Sequence, residues 1–419
     1  MSGNSDPMPV NYIVLAIPVF IVLIGLELLV TRLLERDYYS LDDSINDLSC
    51  GMLQQVLEVF VKTALFAGYA FVYGRFRVMD VPNESAAAWV LCFLGVDFFY
   101  YWFHRLSHEI NAFWAAHVVH HQSEEYNLAV ALRQGALQGW FSWAFYLPLA
   151  WIGFPPVMFL TLSSFNTLYQ FWIHTRVIGR LGPLEWVLNT PSNHRVHHGR
   201  NPRYIDRNHG GTLIVWDRLF GTFQEEDEEV AYGITTPLKS WNPVWANVHY
   251  WVELWQKARR TTRLADKVRM FVKPPGWQPE DLGGFLEAPP IDPSHRKYRS
   301  ETPSGLGLYI FVQLAVVLLG SGLFLRTEGR ADPLSRAAVG IAIAATLVSL
   351  GALLERKPWA LPLEAARLAG VTVLAFVLAA GGTWVLPTAA AVLAAVLLSW
   401  LLRYRGLYVP GPPPQPQAG

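Results

Sequence analysis

Three groups of histidine dominate the chemistry this chain could perform: His104-Arg-Leu-Ser-His108, His117-Val-Val-His120-His121 and His194-Arg-Val-His197-His198. Residues three or four apart on a helix share a face, so the imidazoles of each group project together. Asp97, seven residues before His104, falls on the same face. Five of the chain's 12 histidines lie between 104 and 121. Neutral imidazoles crowded away from water are costly unless their nitrogens are satisfied, and metal ligation satisfies them. Imidazole suits iron, zinc, copper and nickel. Four histidines saturate a tetrahedral zinc, so eight imply two ions. A zinc-peptidase HExxH is absent, because Ile110, Asn111 and Ala112 follow His108-Glu109. Paired Glu-x-x-His motifs of carboxylate di-iron bundles and a GxSxG elbow are missing too. What remains is a His-rich non-haem di-iron site that activates oxygen beside a lipid.

The elements that must position these groups are membrane helices. Of 419 residues, 52% are hydrophobic and only 16% charged, against about 25% charged in soluble domains. The formal net charge is zero, which excludes a nucleic-acid binder with its basic face. Cys50 and Cys92 both lie in apolar runs and form neither a disulfide framework nor a CxxC site. A span needs about 20 apolar residues. Such segments run over Tyr12–Val30, an anchor rather than a removed signal peptide, and over Met52–Tyr73 and Ala86–Phe103. Gly135–Ile173, broken by Pro148 and Pro155-Pro156, predicts two spans or a hairpin that enters and leaves one side.

Residues 174–300 are polar and carry 18 of the 33 Lys and Arg. The positive-inside rule puts them in the cytoplasm, and the absence of Lys and Arg from residues 1–11 puts the N-terminus outside. The acidic run Glu225–Glu229 reads as a solvated loop. After Ser300 four apolar, histidine-free spans are expected near 305–325, 334–354, 366–381 and 384–402. The chain therefore divides into a histidine-bearing catalytic part over 1–300, a four-helix membrane part over 301–409 and a disordered tail over 410–419. The fold expected is all-α: a polytopic integral membrane bundle with a cytoplasmic, histidine-rich di-metal cap.

The three groups resemble the histidine boxes of the fatty acid hydroxylase / sterol desaturase superfamily of membrane di-iron oxygenases. The text between them, HRLSHEINAFWAAHVVHHQSEEYNLAVALRQ, LYQFWIHTRVIGRLGPLEWVLNTPSNHRVHHGRN and GGTLIVWDRLFGTF, is similar to its alkylglycerol monooxygenase branch. The resemblance covers roughly residues 95–250, and the N-terminal spans loosely. It implies metal ligands at His104, His108, His117, His120, His121, His194, His197 and His198, with His174 in WIHT and His209 in NHGG as further candidates. Glu109 matches an acidic residue important in that branch; its plainer reading is a surface salt bridge with Arg105. Asn193 stands where another histidine is expected, so that position is no ligand here. Asp97 is expected to orient a ligating histidine. His249 and His295, outside every box, read as structural or exposed.

The branch implies two iron ions, O2, and a tetrahydropterin as reductant. Its reaction hydroxylates the carbon next to the oxygen of a glyceryl ether. Arg195 and Arg200, with Arg203 and Arg207, could hold a pterin or lipid headgroup, or serve only as cytoplasmic positive charge. The substrate, a long-chain lipid, would enter from the bilayer. A fatty acid, sterol or carotenoid hydroxylase or desaturase of the same superfamily, fed by an external electron donor, is the alternative. A membrane metal carrier is the remote one, since the clusters crowd the span ends. The Ala/Leu/Gly/Arg bias points to a bacterial inner membrane, with the site facing the cytoplasm. Oligomeric state is not encoded in any of these patterns.

Overall fold

A computed structural model describes residues 12–379 and 384–408. The expectations placed on residues 1–11 and on the tail 410–419 lie outside them. The described residues are helical, with two isolated β-bridges, Leu188 to Leu213 and Gly199 to Tyr232. They form two compact units: one runs to Leu238 and resumes over Ala246–Tyr298, and the other joins Lys239–Trp245 to the chain from Arg299 onward.

The first unit opens with three long helices, α1 (Tyr12–Leu33), α2 (Leu41–Phe76) and α3 (Ala86–Glu109). α2 starts where the Ser40 hydroxyl accepts the Asp43 N–H at 3.4 Å, with Asp42 and Asp43 in its first turn. Hydroxyl capping and first-turn acids both favour a helix start. Ser85 caps α3 through the Ala88 N–H at 3.3 Å. The chain then turns at Ile110, whose backbone is extended, and re-enters a helix as α4 (Asn111–His121). Short pieces follow: α5 (Gln138–Ser142), α6 (Leu147–Ile152) and α7 (Pro156–Trp172). Next come α8 (Pro191–His197), α9 (Val215–Phe220), α10 (Pro243–Arg260) and α11 (Leu264–Val272). Thr190 caps α8 and Pro191 occupies its first turn, where a missing N–H costs nothing.

The second unit holds α12 (Ser304–Thr327), α13 (Pro333–Leu354), α14 (Ala360–Leu378) and α15 (Val385–Leu402). Its interior contains an ion pair: the buried Arg367 donates to the buried Glu364 at 2.5 Å. Tyr309 and Ser349 also donate to that carboxylate, at 2.5 and 2.6 Å. A charge in a span is tolerated when it is paired this way.

Six helices, α1–α3 and three of the C-terminal four, are long and apolar enough to cross a bilayer, and the chain is a multi-pass integral membrane protein. Of the two readings of 135–173, two full spans or a hairpin on one side, the helices found here do not fit the first. Prolines cut the stretch into short helices, of which the longest, α7, has 17 residues, or about 25 Å at 1.5 Å per residue. That falls short of the ~30 Å hydrocarbon core. In the last C-terminal span, only Pro387–Leu402 is apolar helix.

α4 is held along its Ala116–Val119 face by two contacts. A Cβ on Gly135 would stand 2.0 Å from the Ala116 carbonyl oxygen, so only glycine lets that strand of chain approach. Against the same face lies Arg133, 2% exposed. Its guanidinium donates to the Val119 carbonyl at 2.6 Å, Asn46 at 2.5 Å, Gln122 at 2.7 Å and Asp47 at 3.1 Å. Removing one partner of a buried pair leaves an uncompensated charge, which costs about 3–5 kcal/mol. Arg133→Met should therefore destabilise the detergent-solubilised protein by that order, seen as a large fall in its thermal midpoint. Asp47→Asn on top should recover part of it. A midpoint unchanged in Arg133→Met would show that the pair holds nothing.

Candidate metal centre

The ends of α3, α4 and α8 and the segments around His174 and His209 bring the boxes together. Two sets of imidazoles converge. His104, His108, His117, His121 and His197 form one, and His120, His174, His194 and His198 the other, each with one nitrogen per ring within 4.8 Å of all the rest. All nine are buried. Adjacent residues on α4 serve different sets, because a helix turns about 100° per residue: His121 faces the first and His120 the second.

The ring nitrogens fall into an outer and an inner layer. Outward, Nδ1–H groups donate to main-chain carbonyls: His104 to His209 at 2.8 Å, His120 to Arg133 at 2.8 Å, His174 to Gln170 at 2.7 Å and His197 to Arg207 at 3.0 Å. His117 Nδ1 meets the Gln138 side-chain oxygen at 2.8 Å. A neutral ring protonated on Nδ1 has a bare Nε2. Inward, these bare nitrogens face one another. His104 Nε2 lies 3.1 Å from His117 Nε2, which lies 3.2 Å from His121 Nε2. In the other set His174 Nε2 lies 3.2 Å from His120 Nε2 and 3.1 Å from His194 Nε2. The inner Nε2 atoms of His108, His197 and His198 have no hydrogen-bond partner.

Lone pairs facing at such distances repel unless a cation lies between them. Two imidazole nitrogens each about 2.1 Å from one ion stand about 3 Å apart when ligated side by side. The donor sets thus fit a metal centre, with the Nδ1 bonds fixing tautomer and ring orientation as metal-binding histidines require. Burial holds His117 and His174 at about 4 and, with their neighbours, pushes His120, His121, His194, His197 and His198 well below the usual imidazole range. The rings are therefore neutral at physiological pH, the form that binds metal.

The remaining site candidates sort differently. His209 belongs to neither set; its ring centroid is 5.1 Å from that of His108, and both its nitrogens lack partners. Its carbonyl, however, holds His104. Asp97 bonds no histidine directly, because it sits two turns before His104, too far to reach the ring. Its carboxylate accepts from Thr212 N–H at 2.7 Å, Leu213 N–H at 3.1 Å, Trp216 Nε1 at 2.9 Å and Asn166 at 2.6 Å. Together with Asp217, which accepts the His209 and Gly210 N–H groups at 2.7 Å, it pins the loop that presents the His209 carbonyl. A Cβ on Gly211 would lie 2.7 Å from the Tyr100 ring and 3.0 Å from Asp97, so this turn must be glycine.

Glu109 pairs with Arg105 at 2.8 Å on the partly exposed end of α3, which is the plainer of its two readings. Arg195 is no free cation. It forms two 2.7 Å bonds to Glu226 and donates to the Thr175 and Ile178 carbonyls at 2.9 and 2.7 Å. The acidic run is accordingly not merely solvated: Asp227 also pairs with Arg203 at 2.6 Å. Arg200 differs, its Nε having no partner among the described residues. Asn193 donates to the Glu185 and Leu188 carbonyls at 3.5 and 3.3 Å. His249 and His295 lie apart from both sets, His295 against Glu124 at 2.5 Å.

Sequence reading missed Gln138, Arg133 and Asp206, whose carboxylate lies 3.6 Å from His108 Nδ1. It also missed Glu27 of α1, buried in a span. Glu27 accepts the Leu128 N–H at 2.7 Å and bonds to Thr175, next to His174. None of the four has a motif; only their distance from the sites in the fold marks them.

The family model for fatty acid hydroxylase matches residues 89–222, the stretch that carries both sets. No solved structure matches the chain. Alkylglycerol monooxygenase of Homo sapiens is 40% identical over 85% of this chain and 81% of its own length. The Xenopus tropicalis protein of that name is 39% identical over 87% and 82%, and the Caenorhabditis elegans one 32% identical over 81% and 71%. Identity at this level across both units shows that the chain belongs to the alkylglycerol monooxygenase family and is a membrane oxidoreductase acting on lipid.

Proposed function

We propose that the chain oxidises glyceryl ethers, with two iron ions held by the two histidine sets. The observation that carries this is the pair of converging sets with bare Nε2 atoms facing inward. His104, His108, His117, His121 and His197 would hold one ion, and His120, His174, His194 and His198 the other. His209 is a further candidate beside the first. Iron there would supply the activation of O2 needed to oxidise an unactivated methylene.

The chain's own residues do the rest. Main-chain carbonyls and Gln138 keep Nδ1 protonated and Nε2 free on His104, His117, His120, His174 and His197. Trp114, its ring 5.0 Å from that of His108, and Tyr126, 5.1 Å from His198, wall the sets with aromatic surface that keeps water from the reacting methylene. Hydroxylation of the carbon adjoining the ether oxygen gives a hemiacetal, which collapses to an aldehyde and a free glycerol hydroxyl. Arg200, beside Asp292, and Arg207 are the cations that would meet a tetrahydropterin or a lipid headgroup; Glu109, next in the chain to His108, is held by Arg105. Residues 1–300 carry catalysis, and the spans of 301–409 support it in the membrane.

We place the site on the cytoplasmic side from the charge of residues 174–300. A bacterial inner membrane has composition alone behind it, and the long matches are to animal proteins.

Purified protein in lipid nanodiscs, assayed for iron and for O2-dependent aldehyde release from a 1-O-alkylglycerol with and without tetrahydropterin, tests this. Aldehyde release that depends on the pterin is expected. An iron-loaded protein that releases none with any reductant would reject the substrate, leaving fatty acyl and sterol lipids to be tried.

A further inference from the structure

We infer that α11 is an interfacial helix that seats on a membrane surface of anionic lipid. On this helix Leu264, Val268 and Val272 recur every four residues and form one stripe. They are 76%, 61% and 57% exposed. The side turned toward the protein is instead narrow. It consists of Met270, packed with Ala115, Leu254 and Ala258, of Phe271 against the same cluster, and of Asp266, which pairs with Arg269 at 3.0 Å. A helix on a water-facing surface turns its apolar stripe inward; this one turns it out.

The rim of the stripe is basic. From Lys257 to Lys273 there are seven Lys and Arg against a single acid, Asp266. Arg259, Arg260, Arg263, Arg269 and Lys273 are exposed. Just beyond the helix the chain folds back, the Leu286 N–H donating to the Gly276 carbonyl at 2.9 Å, and leaves Phe285 and Leu286 exposed as well. Apolar side chains flanked by Lys and Arg are what a helix lying at the headgroup boundary of an anionic bilayer presents. A second copy of the chain fits poorly, since the same face would bring its own positive rim against an identical one. The bilayer is already at hand through the spans.

The placement bears on the metal centre. α11 is bolted to α4, which carries His117, His120 and His121: Asn111 at the start of α4 donates to the Met270 and Pro274 carbonyls at 2.9 and 3.2 Å. Seating α11 in headgroups therefore sets the depth of that helix.

A nitroxide on Val268→Cys in the full-length protein reads this directly. Both native cysteines are buried, so the label goes to the new one. In vesicles of phosphatidylcholine containing anionic phosphatidylglycerol, the label should collide several-fold more with oxygen than with a water-soluble nickel chelate. That ratio should fall in phosphatidylcholine alone, and fall likewise when Arg260→Glu and Arg263→Glu are added. Leu264→Cys should report the same pattern. A label that meets the chelate as freely as oxygen lies in water and overturns the proposal. Dipolar broadening between labels, the sign of two copies packed on this face, overturns it too.

Discussion

His120→Ala and His121→Ala, neighbours on one helix, should each lower bound iron from two ions per chain to about one, and each should lose more than about 100-fold in turnover. Replacing only an outer partner of a ligand costs 10–100-fold, so loss of the ligand itself lies beyond that. The two variants should differ in which ion remains, because His121 faces the set containing His104 and His120 the set containing His194. Elemental analysis gives the stoichiometry. A double variant of residues in one set, His120→Ala with His194→Ala, should retain about one ion, whereas His120→Ala with His121→Ala should retain none. Two ions kept in either single variant would reject the division into sets.

The second large effect is acid instability of the metal-free protein. The pKa of His117 and His174 is held at about 4 and that of His209 at about 3 by burial, against about 6.5 in an unfolded chain. Below pH 6.5 the unfolded chain binds protons that the folded one refuses, so stability falls as pH falls and stops falling only near the folded values. Above pH 6.5 neither state takes up the proton and stability is at its highest. One shift from 6.5 to about 4 is worth about 3 kcal/mol once fully expressed, and several rings share the pocket. Chelator-treated protein should therefore lose its thermal midpoint steeply between pH 6.5 and 4. Iron-loaded protein should hold its midpoint to lower pH, because protons must first displace the metal. A midpoint flat across this range in metal-free protein would contradict the neutral, buried state of the rings.

The histidine sets were legible because helix geometry turns a spacing of three and four into a shared face, and α3, α4 and α8 each present one. The membrane character was legible from Tyr12–Leu33 and its like, where composition alone decides. For 135–173 apolarity alone allows two spans or a hairpin on one side, and how far each piece runs between prolines decides against two full spans. The partners of Asp97 and Arg195 were hidden for a different reason. Each lies near a histidine in the chain, yet the partner that claims it comes from far away: the Thr212–Trp216 loop for one, Glu226 for the other. Gln138 and Arg133 carried no signal at all, since their contacts with α4 arise only when Gly135 lets the backbones meet.

Four of the metal-facing rings take their orientation from peptide carbonyls, at His209, Arg133, Gln170 and Arg207. A carbonyl cannot be deleted by a point mutation. The side chains at such positions are therefore freer to drift, as far as ring tilt goes, than a side-chain clasp would be. Gln138 is the exception. Of the clasps seen on Nδ1, it alone is written in a side chain, and a lineage that loses it must re-aim His117 by other means.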